Sequence, residues 1–143
     1  MKLKIKRFDK SLPLPEYQTV GAAGFDLYSR EQVIIAPQTV GYVPLNIAIQ
    51  LPRGHWALLA ARSSLHKKGL MLANGIGVGD YDYRGDQDEY QAAVFNFTDK
   101  KVVVEKEERI AQMLILPAVK VELEELDKFD TVNRGGFGST GQK

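Results

Sequence analysis

Leu45-Asn46-Ile47-Ala48-Ile49-Gln50-Leu51-Pro52-Arg53-Gly54 places an aliphatic side chain at every second position and then stops at a Pro-Arg-Gly turn. Side chains of an extended strand alternate between faces, so the run reads as a half-buried strand with Asn46, Ala48 and Gln50 on its outer side. The same period recurs on both sides of it. Leu3, Ile5 and Arg7 alternate with lysines and a phenylalanine, and Val33-Ile34-Ile35 is a short apolar run. His55 to Ala60, Tyr90 to Phe97 and Lys101 to Val104 are further strand candidates. Ile110 to Leu116 is apolar on both faces apart from Gln112, which predicts burial on both sides. Val119, Val121 and Leu123 alternate with Lys120, Glu122 and Glu124.

Ala36-Pro37 and Thr98-Asp99-Lys100 add turn signals between these runs. Many short strands with regular turns predict an all-β fold, an antiparallel barrel or sandwich. One short helix is predicted around Ser64 to Lys68, stopped by Gly69. Asn133 to Lys143 is glycine-rich and polar, cannot bury a core of its own, and reads as a flexible C-terminal arm. The expected organisation is one β domain over 1–132 followed by the arm at 133–143.

Composition narrows the function classes. The 143 residues are 44% hydrophobic, enough for one packed core. A formal net charge of +1 lacks the Lys/Arg surplus of a polyanion binder, so no nucleic-acid partner is expected. The absence of cysteine excludes disulfides and thiolate zinc, and His55 and His66 alone cannot build a His-rich metal site. No apolar run is long enough to span a membrane, and the N-terminus alternates instead of forming a signal-like apolar block. A soluble, cytoplasmic protein is therefore expected.

Five segments hold glycine, hydroxyl, charge and amide groups where a strand protein would carry core residues. Ala23-Gly24-Phe25-Asp26-Leu27 reads first as a turn leading into a strand, with Asp26 satisfying backbone groups. Ala61-Arg62-Ser63-Ser64-Leu65 combines a guanidinium fork, hydroxyls and the start of the short helix. That set suits an anion, or equally a Ser N-cap beside a surface arginine. Asn74-Gly75-Ile76-Gly77-Val78-Gly79-Asp80-Tyr81-Asp82-Tyr83-Arg84-Gly85-Asp86 strips one face of side chains. A glycine hairpin of this kind can present N–H and C=O groups to a base edge. Asp80 and Asp82, two apart, would share a face if the strand ran through them. A dinucleotide fingerprint fails because no helix follows, and an EF-hand fails on its acidic spacing. In Glu108-Arg109-Ile110-Ala111-Gln112-Met113, Gln112 needs a partner, either a phosphate oxygen or a neighbouring backbone. Arg134-Gly135-Gly136-Phe137-Gly138-Ser139-Thr140-Gly141 is not a P-loop, since Gln142 stands where the lysine belongs. Its glycines permit a phosphate nest, and Phe137 offers a stacking face.

In this order and at these separations, the five segments resemble the five motifs of the trimeric dUTP pyrophosphatases, the dUTPases. The match runs from Ala23 to Gly141, and its most specific parts are Asp-x-x-Tyr-Arg-Gly and Gly-Gly-Phe-Gly-Ser-Thr-Gly. The resemblance implies a jelly-roll-like distorted β-barrel or sandwich and a homotrimer with shared active sites. It implies Mg²⁺-assisted cleavage of dUTP to dUMP and pyrophosphate. Asp80 then corresponds to the residue that activates water, and Tyr83 to the ring that packs on deoxyribose. Asn74 and the hairpin through Gly77 and Val78 correspond to uracil readers. Arg62, Ser63, Ser64 and Gln112 correspond to triphosphate ligands or their organisers. Asp26 would stand near the metal through water, the ion itself being held by substrate phosphates. Phe137, with Gly138 after it, would close as a lid, and Arg134, Ser139 and Thr140 would meet the γ-phosphate.

The chain departs from the family pattern at four places. Ala61 replaces a proline, and Gly79 replaces a large aliphatic, which implies a looser hairpin. Asp86-Gln87-Asp88-Glu89 is longer and more acidic than usual, and Arg134 sits unusually close to Phe137. Two rival classes remain: a dCTP deaminase on a related fold, opposed by the complete glycine–Phe–Ser–Thr arm, and a non-catalytic nucleotide sensor, opposed by the intact Asp80.

Overall fold

The computed structural model describes residues 1–141. Eleven short strands and one 3₁₀ turn follow in order: β1 (Lys4–Arg7), β2 (Phe25–Tyr28), β3 (Val33–Ile35), β4 (Val40–Pro44), β5 (Ile47–Gln50), β6 (His55–Ala61), the 3₁₀ turn (Leu65–Lys68), β7 (Leu70–Leu72), β8 (Gly77–Gly79), β9 (Gln91–Asn96), β10 (Val102–Val104) and β11 (Arg109–Pro117). Every pairing is antiparallel. The larger sheets are four-stranded, in the order β2-β11-β6-β8, and three-stranded, in the order β4-β9-β7. Two-stranded pairs β1-β5 and β10-β3 complete a distorted sandwich around one core. Leu27, Val43, Leu45, Ala57, Leu70, Ala92, Val94, Val104, Ala111 and Met113 are fully buried there. Sheets close on a shared interior because each carries one apolar face that must leave water.

Three strand readings need revision. The run over 45–51 is not half-buried: Asn46 and Ala48 are buried as well, and Gln50 alone faces out. Asn46 adopts φ 68°, so the strand begins only at Ile47. Its buried carboxamide is satisfied by accepting from Asp9 N–H at 2.6 Å and donating to Asp9 C=O at 3.0 Å. In β11 burial on both faces is confined to Ile110 and Ala111, because a bulge in the pairing with β2 turns both inward; Leu114 to Leu116 are only half-buried. Val119 to Glu124 forms no strand. From Ala118 to Gly141 the chain is irregular, and Val119, Val121 and Leu123 are exposed. Their alternation meets no sheet edge of this chain, and strand pattern without a pairing partner does not make a strand.

Strands β4 and β7, unread in the sequence, are placed by β9, which pairs with β4 on one side and β7 on the other. The predicted helix is a single 3₁₀ turn ended by Gly69 at φ 85°, where only glycine avoids a Cβ penalty. Ser64 makes no side-chain cap there, so the N-cap reading fails. Among the described residues no helix is long and apolar enough to cross a membrane.

Asn96, fully buried at the end of β9, ties three segments together. Its Nδ2 donates to Ile35 C=O at 3.0 Å and Lys100 C=O at 2.7 Å, while its Oδ1 accepts from Thr98 N–H at 2.9 Å and Thr98 Oγ1 at 2.7 Å. Asn96→Ala strands these groups and is expected to lower the unfolding free energy by about 1–3 kcal/mol, read as a lower urea midpoint at unchanged slope.

Candidate active site

β8 is an edge strand. Its inner side pairs with β6 in the register Ala57↔Gly79 and Leu59↔Gly77, and its outer edge carries no strand. Glycine is required at both ends of it. A Cβ on Gly77 would lie 2.9 Å from Leu59 Cβ, and one on Gly79 would lie 2.9 Å from Tyr90 Cε1 and Cζ. The backbone therefore rests directly on the core layer, with Val78 between the glycines 63% exposed.

The hairpin read from the sequence is an opened one. β8 belongs to the four-stranded sheet and β9 to the three-stranded sheet, so the segment 80–90 bridges two layers and no ladder joins its arms. A cleft of about 510 Å³ lies between them. Asn74, Gly77, Val78, Asp80 and Tyr83 line it, as expected from the sequence, and Tyr42, Glu89, Tyr90, Gln91 and Ala93 form the rest of its walls. The contribution of residues 89–93 was missed, because an alternating strand gives no sign that it faces another strand across a cleft.

Asp80 and Asp82 do not share a strand face. β8 ends at Gly79, and Asp80 C=O accepts from Tyr83 N–H at 3.2 Å to open a turn. Asp80 is exposed there, and Tyr83 is 40% exposed. Tyr83 hydroxyl donates to Glu89 C=O at 2.8 Å, and its ring meets Tyr90 edge-on at 5.3 Å. Burial, with Asp88 and Glu89 nearby, raises the Tyr83 phenol above its usual range.

The acidic segment after Arg84 is a set of struts. Asp86 pairs with Lys6 at 2.8 Å, which holds its carboxyl below the usual range. Asp88 accepts from Gly85 N–H at 2.6 Å. Glu89 receives Arg30 through Nε at 2.8 Å and Nη2 at 3.1 Å, plus Asn46 N–H at 3.0 Å. At Gly79, Tyr90 fills the space the missing side chain leaves.

A second concavity, about 170 Å³, gathers Asp26, Arg62, Ser63 and Gln112 with Gly24. Asp26 is buried on β2, the strand read after the turn, and in place of backbone groups its Oδ2 takes Arg62 Nε at 3.1 Å and Arg109 Nη1 at 3.2 Å. Of the two partners left open for Gln112, the backbone is the one observed: Nε2 donates to Ala61 C=O at 3.0 Å. Ser64 lies with Arg62, Lys67, Lys68 and Arg109 along a third, polar concavity. The helix-terminus N–H expected for an anion is partly used, since Leu65 N–H donates to Arg62 C=O at 3.0 Å. The Asp80 cleft and the Asp26–Arg62 concavity share no lining residue. Arg134, Phe137, Gly138, Ser139 and Thr140 lie in neither, and all are exposed. Gln142 lies outside the described residues.

A sequence profile of the dUTPase family matches residues 10–141. The chain is 44% identical over 147 residues to the deoxyuridine 5'-triphosphate nucleotidohydrolase of Hydrogenobaculum sp., covering 100% of both. It is 38% identical to the Helicobacter pylori (strain J99) protein of the same name, over 99% of this chain and 97% of that one. The solved dUTPase of Staphylococcus bacteriophage 80alpha with dUPNHPP superposes with a TM-score of 0.85 over 98% of each chain at 27% identity. The chain belongs to the dUTPase family, and it is accordingly a hydrolase.

Tyr90 is 6% exposed, and its buried hydroxyl has no hydrogen-bond partner among the described residues. Burial first, then Tyr83, Asp80 and Asp88, push its phenol from 10.0 up to about 12. The folded protein thus holds that proton more tightly than the unfolded chain does. The associated stability is complete below pH 10 and is lost as pH climbs through about 12. Tyr90→Phe, which removes the orphan, is expected to add about 1 kcal/mol at pH 8. The gap over the wild type should widen in urea unfolding at pH 10.5.

Proposed function

We propose that the protein hydrolyses dUTP to dUMP and pyrophosphate, lowering dUTP and supplying dUMP for thymidylate synthesis. The observation that carries this reading is the convergence of the bare β8 edge, Asp80 and Tyr83 on one cleft. Uracil lies against Gly77 and Val78 beside Asn74, where backbone groups donate to O4 and accept from N3–H. Cytosine is mismatched at both positions, and buried polar groups left unpaired can reject an analogue by about ten thousand-fold. Tyr83 packs on the deoxyribose and excludes a 2′-hydroxyl.

Asp80 takes a proton from a water as its oxygen bonds to the α-phosphorus. The bond from that phosphorus to the bridging oxygen of the β-phosphate breaks, and pyrophosphate leaves. Arg62, Ser63, Ser64 and Gln112 hold or organise the triphosphate, and Arg134, Ser139 and Thr140 meet the γ-phosphate while Phe137 and Gly138 cover the base. Mg²⁺, a hard cation that takes oxygen ligands, would neutralise phosphate charge when bound. The donor set fits such an ion in an outer role only. Among the described residues no three His, Asp or Glu side chains converge, and Asp26 already neutralises two arginines through Oδ2. Asp26 would reach the ion through water, and the phosphates would hold it.

A homotrimer with shared sites is supported by the separation of the two concavities within one chain. It is also supported by the exposed Leu123, Phe129, Val132 and Phe137, 78–114% exposed, which find no apolar surface on their own chain. In this reading residues 133–143 act as the closing arm on the β domain 1–132.

Pyrophosphate release from dUTP, dCTP, dTTP and UTP, with and without Mg²⁺, tests the reading. The expected result is Mg²⁺-dependent release from dUTP alone; ammonia from dCTP would favour a deaminase instead. Asp80→Asn should bind nucleotide normally and lose a factor of about a hundred to ten thousand in turnover. Truncation after Asn133 should leave the melting profile and the trimeric mass intact and abolish most turnover. A monomer by light scattering at working concentration would refute the shared site.

A further inference from the structure

Tyr83 is restrained by two consecutive residues of the opposite wall. Its hydroxyl donates to Glu89 C=O at 2.8 Å, and its ring meets Tyr90 at 5.3 Å with the planes 78° apart. Glu89 is itself anchored by Arg30 and Asn46 N–H, and Tyr90 is almost completely buried. Beneath the strand edge, the tip of Tyr90 occupies the room a side chain at position 79 would need: a Cβ there would overlap the Tyr90 hydroxyl. One ring therefore supports both the residue before Asp80 and the aromatic ring after it.

We propose that Tyr90 is a positioning residue that sets the discrimination between deoxyribose and ribose, acting through Tyr83 and made possible by Gly79. The inference rests on Tyr83 being the sugar platform of the reading above. A ring excludes one hydroxyl only by contact, and contact selectivity disappears when the ring can tilt by a fraction of an ångström. Tyr83 is 40% exposed, so its own burial does not hold it. Edge-to-face packing on a buried partner does, because the ring quadrupoles favour one relative orientation. The Tyr90 hydroxyl has no partner among the described residues, so the ring is the part in use and the oxygen is not.

Steady-state kcat/KM for dUTP and UTP, measured beside thermal melting, tests this in three single variants and one double variant. Tyr90→Phe retains the ring and should keep the wild-type dUTP-to-UTP ratio. Tyr90→Leu removes it and should lower that ratio about tenfold, the equivalent of one aromatic pair, mainly by raising kcat/KM for UTP. Gly79→Ala, which pushes the same ring from the other side, should also lower the ratio, and does so less in the Tyr90→Leu background. Should Tyr90→Leu fail to fold, Gly79→Ala decides alone. Equal losses on both nucleotides, with the ratio unchanged, overturn the proposal and leave Tyr90 a packing residue. A wild-type protein that turns over dUTP and UTP alike overturns the reading of the cleft, and this proposal with it.

Discussion

The close approach of the β8 backbone to the core is the constraint on which the rest of the site depends. Leu59 stands beside Gly77 as its cross-strand neighbour on β6, Tyr90 packs against Gly79, and neither leaves room for another carbon. A strand that carries no side chain on its inner face can lie flush on that layer. Its outer edge is then held rigidly while its N–H and C=O groups stay unpaired. An exposed strand edge is ordinarily a hazard, open to pairing with another chain. Here it is short, bounded by a turn at Gly75 and by Asp80, and turned toward a cleft.

The segment between the two cleft walls shows how stability is arranged around function. Residues 80–90 cross from one sheet to the other without a ladder, an arrangement that would leave them mobile. Lys6, Arg30, Asn46 N–H and Gly85 N–H fix the acids at 86, 88 and 89 instead. The exposed Lys6–Asp86 pair is not a large source of stability, since exposed ion pairs contribute little. The effect of these contacts is on geometry: they hold the turn that carries Asp80 and Tyr83. The unpaired Tyr90 hydroxyl runs the other way, a local cost tolerated where the ring is wanted.

Fold class was legible because period-two alternation reports faces directly, and β3, β6 and β9 fall within a residue or so of where it places them. Alternation could not report sheet membership. Asn46 is satisfied by the backbone of Asp9, and β5 is paired along its edge by β1; both are contacts distant in sequence. Likewise the strand reading of Val119 to Glu124 identified an apolar pattern correctly but assumed a partner that this chain does not offer. Of the residues the sequence singles out, Asn74, Gly77, Val78, Asp80 and Tyr83 meet in one cleft. The opposite wall was not legible, because Glu89, Tyr90 and Gln91 look like ordinary strand and turn residues until the two sheets are superimposed. The acidic run at 86–89 looked like an unusual loop, and its struts became visible only when Lys6 and Arg30 were brought beside it.

The most direct test of the account is amide hydrogen exchange at Gly77, Val78 and Gly79, followed by NMR as a non-hydrolysable dUTP analogue is added. Backbone recognition requires that the outward-facing amide of this strand becomes protected and shifts strongly with the uracil nucleotide, and does not respond to its cytosine counterpart. Amides at 77–79 that exchange at the same rate with and without saturating uracil nucleotide would contradict the claim that this strand edge reads the base.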